Sequence, residues 1–213
     1  MLQGVAAQSN FGGFMQPQVT LEYKITPMYS HTNGIEERNS FSREAKSFWE
    51  VQQLDLFHFS QLRILDNQTL AIGIQYRFRQ LFSEDKEDEL RFTEQYSLTK
   101  RGFSVRYGHR LRTEQRISKE ETIHRFRYRF MLDFPLKGQV LDIHELYIAF
   151  GTESLWSVAS STQPEFDQRL LMDFGWVVTK SISLELGIEH RIENYTNDVA
   201  QNLFINSSLN FSL

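Results

Sequence analysis

The stretch FSVRYGHRLRTEQRISKEETIHRFRYRFMLDFPL, residues 103–136, decides the fold class of this chain. On both sides of its central Ser-Lys-Glu-Glu-Thr, apolar and polar side chains alternate, so that large aromatics share one face and arginines the other. Alternation over more than ten residues, twice in succession, indicates a β-hairpin of two long strands. Strands of soluble sheets typically have about five or six residues, whereas a transmembrane strand needs roughly nine to eleven. The stretch therefore predicts a transmembrane β-barrel with its aromatic face toward lipid and its arginine face toward the lumen.

The same alternation recurs through the rest of the chain and predicts about ten strands. The expected fold class is all-β: a single antiparallel up-and-down transmembrane barrel, apolar outside, with an Arg/Glu-filled lumen. Residues 1–18 are expected to be a signal-peptide remnant or a flexible N-terminus, and residues 19–213 the barrel. The polar residues 30–47 predict a loop. Residues 48–64 predict a long strand of unclear alternation, with a suspected bulge between Leu56 and Phe57.

The connections between the predicted strands alternate in length. Those near residues 66, 100, 138 and 180 are mostly short, and those near 38, 86, 120, 161 and 197 are mostly longer and more polar. Bacterial outer-membrane barrels have short periplasmic turns and longer external loops. We therefore expect the outer membrane of a Gram-negative bacterium, with both termini periplasmic because the strand number is even. The expected partners are the lipid bilayer, lipopolysaccharide and possible proteins of an outer-membrane complex.

The composition excludes several other classes. The chain has no Cys, which rules out disulfides, cysteine zinc sites and thiol nucleophiles. The net charge of −4 gives no reason to expect a nucleic-acid partner. No run approaches the roughly eighteen apolar residues of a membrane helix, although alternation averages the hydropathy of a barrel strand toward neutral. The competing fold is a soluble lipocalin-like barrel with the polarity reversed.

Three segments carry a resemblance to a known family: residues 109–116, 126–130 and 182–188. They resemble an uncharacterised family of outer-membrane barrels common in Bacteroidota, the domain of unknown function numbered twenty-four ninety. The resemblance covers roughly residues 70–213. It implies the outer membrane, and it supplies neither an activity nor functional residues.

No familiar enzyme motif is present: the sequence has no Walker loop, GxGxxG, GxSxG or HExxH. The six His residues are scattered, and His109, His124, His144 and His190 share faces with apolar residues. We therefore expect no catalytic residues, no metal site and no cofactor, and a non-enzymatic accessory or structural subunit. A lipid- or peptide-modifying enzyme of the outer leaflet stays open as an alternative, which His, Ser and a carboxylate arranged at the external rim would favour.

Alternation turns one large set of charged residues toward the lumen. Arginines dominate the two central strands, and acids dominate the strands after residue 140. Because like charges on adjacent strands repel, we expect compensation across the barrel and a lumen closed by salt bridges. Arg also suits phosphate and carboxylate, so an anionic-ligand site or a narrow anion pore is the alternative. The predicted lumen residues are Arg77, Arg79, Arg106, Arg110, Arg112, Glu114, Arg116, Arg125, Arg127, Arg129, Asp133, Glu145, Glu153, Arg169, Asp173, Glu185, Glu189 and Arg191.

Overall fold

A computed structural model describes residues 11–43 and 46–213, and this part of the chain contains eleven β-strands. Each strand pairs antiparallel with the next, and β1 pairs with β11 in parallel, which closes the barrel. Among the described residues, no helix is long and apolar enough to cross a membrane. The strands are β1 (Phe11–Thr26), β2 (Tyr29–Arg43), β3 (Lys46–Leu65), β4 (Gln68–Phe78), β5 (Glu89–Arg101), β6 (Arg106–Ile117), β7 (Thr122–Pro135), β8 (Leu146–Val158), β9 (Glu165–Thr179), β10 (Ile182–Glu193) and β11 (Ala200–Ser212).

The predicted all-β barrel is confirmed, and it has eleven strands where the sequence predicted about ten. The additional strand is β2, which occupies the predicted loop. β1 begins at Phe11, so residues 11–18 belong to the barrel, in contrast to the predicted flexible terminus; residues 1–10 lie outside the described part. The odd strand number, with its parallel closure, places Phe11 and Leu213 at opposite ends of the barrel, in contrast to the expected arrangement.

We call the two ends of the barrel rim A and rim B. Rim A is the end at which β2 stops and β3 starts, and it carries the connections 79–88, 118–121, 159–164 and 194–199. Rim B carries the connections 27–28, 66–67, 102–105, 136–145 and 180–181. Four of these five rim B turns are short, but 136–145 spans ten residues where the sequence predicted a short turn.

The wall of the barrel is apolar outside and charged inside. Ile72, Leu170 and Leu186 are more than half exposed on the outer wall, whereas the side chains of Asp55 and Glu153 are 0% exposed in the lumen. A soluble antiparallel sheet packs its apolar face on a core and turns its polar face to water. The polarity predicted from the alternation is therefore confirmed, and it is opposite to that of the lipocalin-like alternative.

The long strand β3 contains a bulge, although at a different place from the suspected one. Its register with β2 shifts at Gln52, which is the extra residue on the β3 side. From Gln53 to Leu62 the pairing with β2 is continuous, so no bulge separates Leu56 from Phe57. Even-numbered residues of this segment lie on the outer wall and odd-numbered residues lie in the lumen.

Two phenylalanines of β3 point into the lumen. The rings of Phe57 and Phe59 lie over Gly34 of β2 and Gly73 of β4, and a Cβ atom at either glycine would collide with the facing ring. Each ring therefore needs a glycine on the neighbouring strand, because only glycine lets a ring lie flat against the backbone.

Candidate functional site: the charged lumen

Glu153 of β8 is the centre of the charge network. Its carboxylate accepts hydrogen bonds from Arg127 Nη2 at 2.7 Å, Arg129 Nε at 3.0 Å and Arg110 Nη2 at 3.2 Å. Arg169 Nη1 lies 3.5 Å from the same carboxylate. The register explains the position, since Arg129 of β7 pairs directly with Glu153. Four guanidinium groups thus surround one fully buried carboxylate.

A second carboxylate, Glu114 of β6, continues the network. Arg127 Nη1 donates to it at 2.7 Å, while Arg116 Nε and Arg112 Nη1 lie 3.4 Å and 3.5 Å away. Arg127 therefore bridges Glu114 and Glu153 with its two terminal nitrogens. A guanidinium has five donors in a rigid fork and serves this geometry better than an ammonium group.

Further ion pairs extend the network around the lumen. Asp55 and Arg77 form a two-pronged pair, with Nε at 2.7 Å and Nη2 at 2.5 Å from the carboxylate oxygens. Such a fork-to-fork pair fixes both orientation and distance. The remaining pairs are Glu89 with Arg79 and Arg91, Glu189 with Arg169 and Arg191, and Asp167 with Arg125.

The arginines are compensated by acids on neighbouring strands. Arg110 pairs with Arg129, and Arg112 with Arg127, in the register of β6 and β7. The expected repulsion is therefore present, but Glu153 on the next strand and Glu114 on β6 itself offset it locally. The predicted compensation across the barrel is not how these pairs form, because Arg is long enough to reach a carboxylate one or two strands away.

Arginines of the lumen also contact aromatic rings, on neighbouring and on more distant strands. The Arg112 guanidinium lies over the Phe59 ring at 5.3 Å, and that of Arg191 lies over the Phe204 ring at 3.5 Å. Arg38 of β2 also faces Phe204, at 5.0 Å from the ring centroid. A cation over an aromatic face is attracted by the ring quadrupole and keeps this attraction where water is excluded.

A cavity of about 660 Å³ remains in the lumen. It extends toward rim A, where Glu165, Glu193 and Asn194 border it. Arg91 and Arg169 also line this cavity, and each has one buried guanidinium nitrogen without an acceptor among the described residues. The predicted lumen residues that line it are Arg77, Arg79, Arg110, Arg112, Glu114, Arg116, Arg125, Arg127, Arg129, Arg169, Asp173, Glu185, Glu189 and Arg191.

Three predicted lumen residues lie elsewhere. Arg106 and Asp133 form a separate pair at rim B, 2.8 Å apart, and the Arg106 side chain is 52% exposed. Glu145 precedes β8 in the connection 136–145, where it accepts a hydrogen bond from the backbone N–H of Asp142 at 3.0 Å. Glu145 lies one residue before the start of β8 at Leu146, at rim B.

The sequence reasoning missed three buried acids of the lumen, Asp55, Glu89 and Asp167, and the half-buried Arg38. Arg38 lies on the unpredicted strand β2, and Asp55 lies on β3, where the alternation was unclear. Glu89 and Asp167 precede the residues at which the alternation was recognised. Each lies two residues before an arginine of the lumen, Arg91 after Glu89 and Arg169 after Asp167. Extending the alternation backwards from those strands would have found both acids.

The histidines singled out in the sequence do not meet in one place. His109 Nδ1 lies 2.9 Å from the Tyr128 hydroxyl on the outer wall, and His190 Nε2 lies 3.3 Å from Gln201 Oε1. His144 is in the connection 136–145, with a positive φ of 67°. Within the described ranges, no group of three or more His, Asp or Glu side chains is arranged to hold a metal ion.

These observations define a class: a closed, mixed β-barrel with an apolar wall and a lumen held by buried Arg–carboxylate pairs. The chain matches the model of the family described as protein of unknown function (DUF2490) over residues 17–202, and it belongs to that family. No curated protein and no solved structure matches the chain.

Proposed function

We propose that this protein is an integral β-barrel of the Gram-negative outer membrane whose charge-filled lumen has a structural role. The observation that carries this proposal is the inverted polarity, with apolar residues exposed on the wall and ion pairs buried inside. In water, so large an apolar exterior would drive aggregation, and in a bilayer it is the surface that lipid covers.

The dimensions of the outer wall support a membrane position. On β7 the apolar face continues from Phe126 past the end of the strand to Leu136, ten residue steps. At about 3.3 Å per step and a tilt of about 40°, these steps span about 25 Å, the height of the apolar band of outer-membrane barrels.

Aromatic side chains at the two ends of this band support the same position. Near rim A, the rings of Phe126, Trp156, Phe166 and Tyr195 follow one another at centroid distances of 5.4, 6.2 and 6.2 Å. Toward rim B, Tyr29 packs against His31 at 4.8 Å. Aromatic girdles at both interfaces are typical of transmembrane barrels.

The lumen is suited to holding the barrel closed and poorly suited to conducting. The bridge from Glu114 through Arg127 to Glu153 links β6, β7 and β8, and Arg112 of β6 reaches the Phe59 ring on β3, three strands away. A barrel with few more than eight strands encloses little more space than side chains can fill. We therefore assign the protein an accessory or scaffold role, with lipid, lipopolysaccharide and other outer-membrane proteins as its partners.

A second candidate is the binding of an anion in the lumen cavity. It is favoured by Arg91 and Arg169, which line the cavity and each have a guanidinium nitrogen without an acceptor among the described residues. Inorganic phosphate should then raise the unfolding temperature of the purified protein, with chloride at equal ionic strength as the control. An unchanged unfolding temperature would contradict this candidate and leave the structural role intact.

Two measurements test the proposed function. Expressed in a Gram-negative host, the protein should fractionate with the outer membrane and migrate faster on gels before heating than after. In planar bilayers the purified protein should show no steady conductance, while the double variant Glu114→Ala, Glu153→Ala should show one. Recovery in the soluble periplasmic fraction would contradict the membrane assignment, and steady conductance of the unmodified protein would contradict a closed lumen.

A further inference from the structure

Four polar side chains form a hydrogen-bonded group on the outer wall of β2 and β3. His58 Nδ1 lies 2.9 Å from Asn33 Oδ1, and His58 Nε2 lies 3.2 Å from Ser60 Oγ. Ser60 Oγ also lies 3.1 Å from His31 Nδ1. We call Asn33, His58 and Ser60 the outer-wall triad.

The regular alternation of β3 after Gln52 places this triad outside the barrel. His58 and Ser60 are two residues apart on one strand, and His58 pairs with Asn33 in the register of β2 and β3. Ser60 pairs with His31 in the same register. All four side chains therefore share one face, and short hydrogen bonds between them follow from the strand geometry alone.

The surroundings of the triad are apolar. On β4, Ile72 and Ile74 pair with Ser60 and His58, and on β1, Leu21 pairs with Asn33. A polar side chain that faces lipid is costly, and an ionisable residue at such a position is by default a candidate functional residue. The structural role proposed for the lumen does not explain why four such residues lie together on the outer wall.

The three side chains of the triad have the arrangement required for nucleophilic catalysis. With the Nδ1 hydrogen of His58 donated to Asn33 Oδ1, its Nε2 is the free base that faces the Ser60 hydroxyl. A nucleophile, a base at hydrogen-bond distance and a third group that orients the base are the arrangement by which acyl-transfer sites are recognised, whatever the fold. Asn33 is the positioning residue because it fixes the tautomer and the ring orientation of His58.

An apolar groove begins beside the triad and runs along the outer wall toward rim A. It has a volume of about 670 Å³, and Asn33 and His58 belong to its lining. Its other walls include Val19, Ile35 and Leu56, which are 40–53% exposed. A groove of this kind, in a wall that lipid covers, fits an acyl chain whose carbonyl end reaches Ser60.

Aromatic residues mark the opposite side of the triad. The rings of Tyr23 and Tyr29 pack against the His31 ring at 5.3 Å and 4.8 Å. Tyrosine is enriched where the apolar part of a bilayer meets the headgroups. The ester carbonyls of glycerophospholipids lie at the same boundary, so the triad, the tyrosines and the groove match the three parts of such a lipid.

We propose that Ser60, His58 and Asn33 form an acyl-ester hydrolase site that acts on membrane glycerophospholipids at the outer wall. This goes beyond the structural role proposed for the lumen and does not depend on it. It differs from the enzyme that the sequence left open, which was expected in the outer leaflet at the external rim with a carboxylate: the triad lies toward rim B and has an amide as its third group.

The reaction uses only water besides the lipid. Ser60 Oγ attacks the ester carbonyl carbon as His58 Nε2 takes its proton, and a C–O bond forms. The bond to the glycerol oxygen then breaks, and that oxygen leaves as the alcohol of a lysophospholipid with the proton from His58.

In the second half of the reaction, water attacks the acyl-serine while His58 takes a proton from the water. The ester bond to Ser60 breaks, His58 returns the proton to Ser60 Oγ, and a fatty acid is released. His31 Nδ1 lies 3.1 Å from Ser60 Oγ and can donate a hydrogen bond to this oxygen.

The test uses the full-length chain folded in detergent, with mixed micelles of phosphatidylethanolamine as substrate and a fluorophosphonate as an active-site probe. Fatty acid should be released, and mass spectrometry should find the probe on Ser60. Ser60→Ala and His58→Ala should each lower kcat by on the order of 10³-fold or more. Because these side chains face outward, both variants should keep the heat-modifiable migration of the folded barrel.

Two further variants separate positioning from packing. Asn33→Ala should lower kcat with little change in KM, and Asn33→Asp should restore it, since aspartate keeps an acceptor for the His58 N–H. Ile35→Trp, which narrows the groove, should raise KM for phosphatidylethanolamine without affecting p-nitrophenyl acetate. The matched control is Ser154→Ala: Ser154 is an outer-wall serine bonded to Gln168 Oε1 at 2.7 Å.

Several outcomes would overturn the proposal. These are the absence of fatty-acid release by the folded protein, a probe found on a residue other than Ser60, and release that persists in Ser60→Ala. Hydrolysis of p-nitrophenyl acetate without hydrolysis of phosphatidylethanolamine would overturn the lipid assignment. Rates equally reduced in Ser154→Ala would show that the loss comes from the wall in general.

Discussion

Removal of the central carboxylate of the lumen should be among the most destabilising single changes in this protein. Glu153→Ala leaves the guanidinium groups of Arg110, Arg127, Arg129 and Arg169 without the charge that now lies within 3.5 Å of each. Breaking a buried pair by removal of one partner typically costs about 3–5 kcal/mol. Arg127 keeps its contact with Glu114 and Arg169 keeps its contact with Glu189, which limits the loss. Arg110 and Arg129 lose the carboxylate to which they are now bonded. We therefore expect a loss of about 3–5 kcal/mol in the free energy of unfolding.

The assay is urea unfolding in detergent micelles, followed by tryptophan fluorescence and by heat-modifiable migration. The matched control is Glu145→Ala, which removes the same charge from a residue outside the network and should change stability by no more than about 0.5 kcal/mol. The double variant Arg127→Ala, Glu153→Ala should be less destabilised than the sum of its single variants, because the two residues interact directly. Equal stability of Glu153→Ala and Glu145→Ala would refute the reasoning.

Other parts of the wall give further predictions. Phe130→Arg places a charge on the lipid face and should cost roughly 2–4 kcal/mol near the bilayer midplane, whereas Arg129→Gln on the lumen face should leave insertion intact; equal insertion defects would mean that the two faces are misassigned. Gly73→Val should lower the unfolding temperature, because its side chain meets a phenylalanine ring of β3, and normal stability would disprove that contact. Gly102→Cys at rim B should resist labelling by membrane-impermeant thiol reagents on intact cells, while a cysteine in the acidic loop 83–89 at rim A should react, because the mostly short rim B connections are expected to face the periplasm; the reverse pattern would invert this orientation.

The sequence predicted the strands best where each of the two faces carries one kind of side chain. β6 and β7 have aromatics on one side and arginines on the other, and their observed bounds differ from the predicted ones by no more than three residues. The network itself could not be predicted, because alternation gives the face of a residue and not its neighbours. That Arg127 bridges Glu114 and Glu153 depends on the register of three strands, and a shift of one residue would turn every side chain to the other face.

The strand that the sequence missed, β2, also contributes Asn33 to the outer-wall triad, and one cause explains both. On the outer wall of β2, the positions His31 and Asn33 are polar where a barrel strand is normally apolar, so the alternation that revealed the other strands is interrupted there. Departures of a local sequence from the pattern required by its fold are expected at functional sites. A strand that needed only to face lipid would improve its insertion by replacing both residues with aliphatic ones. The same comparison applies to His58 and Ser60 on β3, which makes the outer wall of these two strands the place where activity should be sought first.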